Sequence, residues 1–171
     1  MASSSRTPVG MSKPTVLVIE DNSAQWFIIR WAIMQRFSEV EPIWFSDPAK
    51  AILYLEDCLE NSVDLPQLIL LDLCSPACQV GLHTLKLLKK ADKLYQEIPV
   101  VVLSQCGDAE SIRAAYEGGA NSYMAKPLTY VKWLEWFALF RSYWWNGVEL
   151  PDLKQWGLEA HKSRVDRSDL A

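Results

Sequence analysis

The stretch Gln67-Leu68-Ile69-Leu70-Leu71-Asp72 decides the fold. An apolar run stops here at a carboxylate. A short strand buried on both faces reads this way, with one charge where it leaves the sheet. Two more segments share the pattern. Thr15-Val16-Leu17-Val18-Ile19 ends in Glu20-Asp21, and Ile98-Pro99-Val100-Val101-Val102-Leu103 ends in Ser104. Buried strands alternating with helical patterns predict an α/β protein, a parallel sheet covered on both faces. Ligands of such sheets sit outside the carboxyl ends of the strands. Glu20, Asp21, Asp72 and Ser104 are therefore expected in one crevice.

The totals set the frame. A chain of 171 residues with 50% hydrophobic content supports one domain and an extension. A net charge of -4 gives no basic footprint, which argues against nucleic acid as a partner. Cys58, Cys74, Cys78 and Cys106 have no metal-finger spacing and, without a secretory signal, read as reduced cytosolic thiols. No apolar run reaches the ~18 residues of a membrane span. No apolar signal core follows Ser3-Ser4-Ser5-Arg6, so a cytoplasmic protein is expected. Of the 8 tryptophans, Trp133, Trp136, Trp144, Trp145 and Trp156 crowd the end of the chain.

Residues 1–13, rich in Ser, Pro and Gly, are expected to be a disordered tail. The domain is set at 14–145 and a C-terminal extension at 146–171. Asn22-Ser23 can cap a helix over 24–37. Its inner face is Trp26, Ile29, Ala32 and Ile33, and a second apolar stripe of Phe27, Trp31 and Met34 predicts cover on two sides. Pro42-Ile43-Trp44-Phe45 reads as a strand, followed by a helix from Ser46 or Asp47 to about Asn61. After Asp72 a loop runs to Gly81. The next helix is expected to reach about Tyr95, with Leu85 and Leu88 inside. A short helix then ends at Gly118-Gly119, in the glycine position beyond a helix terminus. The strand Asn121-Ser122-Tyr123-Met124-Ala125 leads to Lys126-Pro127, and a last helix spans about 129–145.

Crowded carboxylates repel unless a cation joins them. A hard divalent ion such as Mg²⁺ suits oxygen ligands in a small site. A carboxylate nucleophile, Mg²⁺, a lysine and a hydroxyl suit phosphoryl transfer, which depends on positioning and on neutralising charge. Aspartate is a nucleophile that forms an aspartyl phosphate.

Four stretches carry a family resemblance: Val16-Leu17-Val18-Ile19-Glu20-Asp21-Asn22, Leu70-Leu71-Asp72-Leu73, Val101-Val102-Leu103-Ser104 and Gly119-Ala120-Asn121-Ser122-Tyr123-Met124-Ala125-Lys126-Pro127. Over residues 14–145 the chain resembles the receiver domain of two-component response regulators. The resemblance implies a five-stranded parallel, flavodoxin-like sheet of order 2-1-3-4-5. It implies Asp72 as phosphoacceptor, with Mg²⁺ held by Glu20, Asp21, Asp72 and the backbone carbonyl of Cys74. It implies Ser104 as the hydroxyl that moves to the phosphoryl group, Lys126 as its cationic partner and Tyr123 as the aromatic switch. The donor would be a phosphohistidine on a sensor histidine kinase or a histidine phosphotransfer protein. An extended last helix and Leu150-Pro151 resemble the stand-alone receivers paired with bacterial phytochromes, so the kinase is expected to be of that kind.

Two departures from the family stand near Asp72. Gly81 comes one residue late, so the loop carries an insertion. Gln105 follows Ser104 where a small residue is common, and would narrow access. Cys74 and Cys78, with no other Cys or His beside them in sequence, read as inert rather than as a redox pair. His83 and His161 read as solvated.

On the last helix, Tyr130, Val131, Leu134, Phe137 and Ala138 are assigned inward. Trp133, Trp136, Phe140, Tyr143 and Trp144 then face elsewhere. Two readings cover them: a tail 146–156 folded back, or a homodimer through this helix, which the aromatic content favours. The leading functional reading is a single-domain response regulator, not an enzyme. An interaction scaffold that is rarely phosphorylated is the rival. An aspartate-nucleophile phosphatase would need a second Asp shortly after the first, where Cys74 stands.

Overall fold

A computed structural model describes residues 13–74, 77–90 and 93–157. All of the expected tail except Lys13 lies outside them. The strands are β1 (Thr15–Ile19), β2 (Glu41–Phe45), β3 (Leu68–Asp72), β4 (Val100–Ser104) and β5 (Ser122–Ala125). The helices are α1 (Ser23–Arg36), α2 (Pro48–Glu60), α3 (Cys78–Lys90), α4 (Ala109–Glu117) and α5 (Tyr130–Arg141), the last continued by a π-helical segment Ser142–Gly147. All strand pairings are parallel, in the order β2-β1-β3-β4-β5. This is the flavodoxin-like order expected above.

Strand alternation builds the core as two layers. Val16, Val18, Leu68, Leu70, Val101 and Leu103 point to one face and pack against α1 and α5. Leu17, Ile19, Ile69, Leu71, Val100 and Val102 point to the other and meet α2, α3 and α4. The three central strands have apolar residues on both faces because both faces are covered. Side chains start four of the helices. Asn22 accepts from the amides of Ala24 and Gln25, Asp47 from Ala49, Asp108 from Ser111 and Thr129 from Lys132. Gly119 has φ 100°, the left-handed geometry that a helix end favours and glycine adopts without strain.

Three expectations need correction or completion. Helix α3 ends at Lys90, short of Tyr95, which sits in a separate 3-10 turn, Leu94–Glu97. The Lys89 ammonium donates to the Gln96 and Ile98 carbonyls and ties that turn back under the helix. On α5 the inward face is Trp133, Phe137, Phe140 and, in the following turn, Trp144. Tyr130, Val131 and Ala138, assigned inward, are exposed. The buried residues follow i, i+4, i+7, i+11, a straight apolar stripe. Burying large rings outweighs burying Val and Ala, at about 3 kcal/mol of gross stabilisation per ring. They meet α1 through Phe37, whose ring stands edge-on to Phe140 at 6.2 Å and to Trp145 at 5.2 Å.

The chain after α5 folds back, as one of the two readings required. Val148 and Leu150 join the α1–α5 layer, while Leu153 is buried in the opposite layer. The extension therefore passes from one face of the sheet to the other, and Lys154 pairs with Asp64 at 2.6 Å. On α1 the inner face is as expected, and Phe27, Trp31 and Met34 are exposed at 64%, 52% and 50%.

Candidate functional site

Strand register brings the chemistry together. Ile19 pairs with Leu71, Asp72 with Leu103 and Ser104 with Ala125, so the ends of four strands lie in one row. Glu20 follows β1, Asp72 and Ser104 close β3 and β4, and Lys126 follows β5. All four are buried polar residues. A buried charge is tolerated only when paired, and these are. The Lys126 Nζ lies 2.6 Å from Glu20 Oε2 and 3.1 Å from Asp72 Oδ2. The remaining carboxylate oxygens are held by backbone. The Asn22 amide donates to Glu20 Oε1 at 3.1 Å, and the Cys74 amide to Asp72 Oδ1 at 3.1 Å.

Asp21 is exposed beside them, and carboxylate oxygens of Glu20, Asp21 and Asp72 lie within 4.8 Å of one another. Burial pushes the Glu20 carboxyl above its ordinary value; the Lys126 ammonium pulls the other way, and the Asp72 charge adds to the rise. A divalent cation would relieve that repulsion. Three hard oxygen donors from adjacent strand ends, partly open to solvent, fit Mg²⁺. The backbone of Glu20 is itself fixed. Its carbonyl accepts from Trp44 Nε1 at 2.7 Å, and the Trp44 ring stacks on Trp26 at 5.5 Å.

On the other side of the crevice, Ser104 Oγ accepts from the Cys106 amide at 3.0 Å. The half-buried Tyr123 donates its hydroxyl to the Cys106 carbonyl at 2.6 Å. Both groups thus meet in the β4–α4 loop. Burial pushes the Tyr123 phenol up, against a hydrogen bond from Ser104. Gln105 is exposed at the mouth, and His83 is exposed on α3.

Two features were missed. Gly81, treated only as displaced, is buried in the first turns of α3 against the loop after Asp72. A Cβ there would lie 1.8 Å from the Leu73 carbonyl oxygen. The position admits glycine because backbone approaches backbone, and a glycine near the start of a helix beside a functional loop was the available signal. The reading of four reduced thiols is corrected as well: Cys74 and Cys78 form a disulfide, while Cys58 and Cys106 are free. Cys78, the first residue of α3, lies against Cys74. Cysteine spacing in sequence did not show that approach.

Comparison with known proteins agrees with this geometry. The response regulator receiver domain family matches residues 16–135. Response regulator Rcp1 of Synechocystis sp. is 30% identical over 138 residues, 80% of this chain and 92% of that protein. A crystal structure of the Mn(2+)-bound form of Rcp1 aligns at 27% identity with a TM-score of 0.69, covering 81% of this chain and 99% of that one. The phosphorylated cyanobacterial phytochrome response regulator RcpA aligns at 26% identity with a TM-score of 0.72, covering 82% and 100%. A response regulator in red light signalling of R. palustris has the same identity, 26%, and TM-score, 0.72, covering 81% and 98%. The chain belongs to the response regulator receiver domain family, and its structural neighbours include a cyanobacterial phytochrome response regulator.

Proposed function

We propose that this receiver accepts a phosphoryl group on Asp72 from a phosphohistidine and relays it as a change in protein contacts. The observation that carries the reading is the buried Lys126 bridging Glu20 and Asp72 at the strand ends. An Asp72 oxygen attacks phosphorus, a P–O bond forms, and the P–N bond to the donor imidazole breaks. The Cys74 amide holds one Asp72 oxygen and fixes the carboxylate plane for that attack. Glu20, Asp21, Asp72 and the Cys74 backbone carbonyl would hold Mg²⁺, which supplies charge neutralisation at the phosphoryl oxygens when bound. Lys126 and Ser104 then exchange their present partners for phosphoryl oxygens. Tyr123 follows Ser104, because the Cys106 backbone joins the two. Such a step shifts a two-state equilibrium at the β4–α4 surface.

The donor is a cytoplasmic sensor histidine kinase of the phytochrome kind, or a histidine phosphotransfer protein. The name of the aligned phytochrome response regulator RcpA supports that choice. A homodimer through α5 belongs to the same reading. Val131, Leu139 and Tyr143 remain 62%, 72% and 62% exposed after the aromatic stripe is buried. Light scattering is expected to give a dimer mass for the wild type and a monomer mass for Val131→Glu/Leu139→Glu. A monomeric wild type would remove the dimer from the account.

The test of the reaction is treatment with acetyl phosphate and Mg²⁺, followed by intact mass. The wild type is expected to gain one phosphoryl group and Asp72→Asn none. Failure of the wild type with acetyl phosphate and with a phosphohistidine donor would favour the scaffold, which the loop insertion and Gln105 support.

A further inference from the structure

Three sulfurs meet at the mouth of the crevice. Cys74 and Cys78 are joined, and the Cys106 Sγ belongs to the same group, all within 4.8 Å. Cys74 lies in the β3–α3 loop, Cys78 is the first residue of α3, and Cys106 lies in the β4–α4 loop. None is deeply buried. The backbone of two of them is bonded to the groups that would do the chemistry. The Cys74 amide donates to Asp72, the Cys106 amide donates to Ser104, and the Cys106 carbonyl accepts from Tyr123.

We propose that Cys74–Cys78 is a reversible thiol–disulfide site that sets the rate of phosphorylation at Asp72; the coupling rests on the phosphoacceptor reading above. The bond spans a sequence separation of 4, so it closes a small ring starting two residues after Asp72. A small ring restricts the backbone that carries the Cys74 amide and carbonyl. The oxidised loop is therefore the preorganised one, and reduction releases it. Reduction needs a dithiol reductant. Its two thiols become a disulfide, two electrons and two protons pass to the protein, the Cys74–Cys78 bond breaks and two S–H groups form. A small-molecule disulfide such as oxidised glutathione reverses the change. Partly exposed sulfurs allow that access. A pair held in a packed interior would not respond.

The experiment uses the full chain prepared with oxidised glutathione and, separately, with dithiothreitol later removed under nitrogen. Alkylation under denaturing, non-reducing conditions counts thiols. Two of the 4 cysteines are expected to react in the oxidised form and all 4 in the reduced form, with Cys74 and Cys78 making the difference. Phosphorylation by acetyl phosphate and Mg²⁺ is then timed for each. The oxidised form is expected to react on the order of tenfold faster, less than the roughly hundredfold cost of a full ~1 Å misplacement, because reduction loosens the acceptor loop without removing a group. Cys78→Ser is expected to run at the reduced rate under both treatments, and Cys78→Ala serves if the serine variant folds poorly. Four free thiols after oxidation, with or without bound zinc, would overturn the site. Equal rates in the two forms would overturn the coupling alone. If neither form takes up phosphate, the Asp72 reading fails and the coupling with it.

Discussion

Gly81→Ala is expected to destabilise the protein by more than about 3 kcal/mol, the upper range for overpacking. The added carbon would lie 1.8 Å from the Leu73 carbonyl oxygen and 2.5 Å from its carbonyl carbon. Both are backbone atoms, so no side chain can swing aside. Either α3 withdraws from the sheet or the loop after Asp72 shifts. The first loses contacts of Leu85 and Leu88, both fully buried. The second moves the Cys74 amide away from Asp72. Thermal unfolding should fall by on the order of 10 °C for a chain of this size. Gly107→Ala is the control, since a Cβ at that position would meet no atom within 4 Å, and it should stay within about 0.5 kcal/mol of the wild type. A Gly81→Ala protein as stable as that control would show that α3 does not press on the loop as described.

Lys126→Met is expected to have an effect of similar size, but one that depends on divalent cations. Lys126 is the cation between Glu20 and Asp72, and the three side chains are 5%, 1% and 8% exposed. Removing it leaves two buried carboxylates side by side. Breaking a buried pair by deleting one partner costs about 3–5 kcal/mol. Glu20 relieves part of that cost by taking up a proton, since burial already holds its carboxyl above the ordinary value. In chelator the variant should therefore unfold well below the wild type. Added Mg²⁺ binds the folded state only and should recover more stability in the variant than in the wild type. Phosphorylation should remain on the order of a hundredfold slow even at saturating Mg²⁺, because a charge that stabilises the transition state is missing. Equal stability of the two proteins in chelator would contradict the pairing.

How much of the fold and site is legible in the sequence differs from element to element. The strands β1, β3 and β4 can be read because each apolar run stops at a polar residue at the carboxyl end of the sheet. That single rule places Glu20, Asp72 and Ser104 in one row from sequence alone. The inner face of α1 can be read for a similar reason, as Trp26, Ile29, Ala32 and Ile33 keep helical spacing. Helix α5 cannot. It is apolar nearly all round, so periodicity does not choose a face: Phe137 is inward as assigned, but Tyr130, Val131 and Ala138 give way to the rings of Trp133 and Phe140. The path of the extension from Val148 to Leu153 is also hidden, because residues that cross between two layers show no repeat. The Cys74–Cys78 bond depends on where α3 begins relative to Cys74, which spacing alone does not encode.

The receiver architecture explains why so few residues carry so much of the chemistry. Glu20, Asp72, Ser104 and Lys126 come from four different strands and meet only because the strands are parallel and in register. Their supports are local: Asn22 starts α1 beside Glu20, Cys74 holds Asp72, and Cys106 joins Ser104 to Tyr123. A change at any support moves the site without removing a reacting group.

The central claim is that the phosphoryl group is carried by the Asp72 carboxylate, and the direct measurement is chemical trapping followed by peptide mapping. After treatment with acetyl phosphate and Mg²⁺, borohydride reduces an acyl phosphate of aspartate to homoserine. Homoserine at position 72, absent from the untreated protein, is the predicted result. Trapping at another carboxylate, or a phosphoryl mass that resists borohydride, would contradict the account.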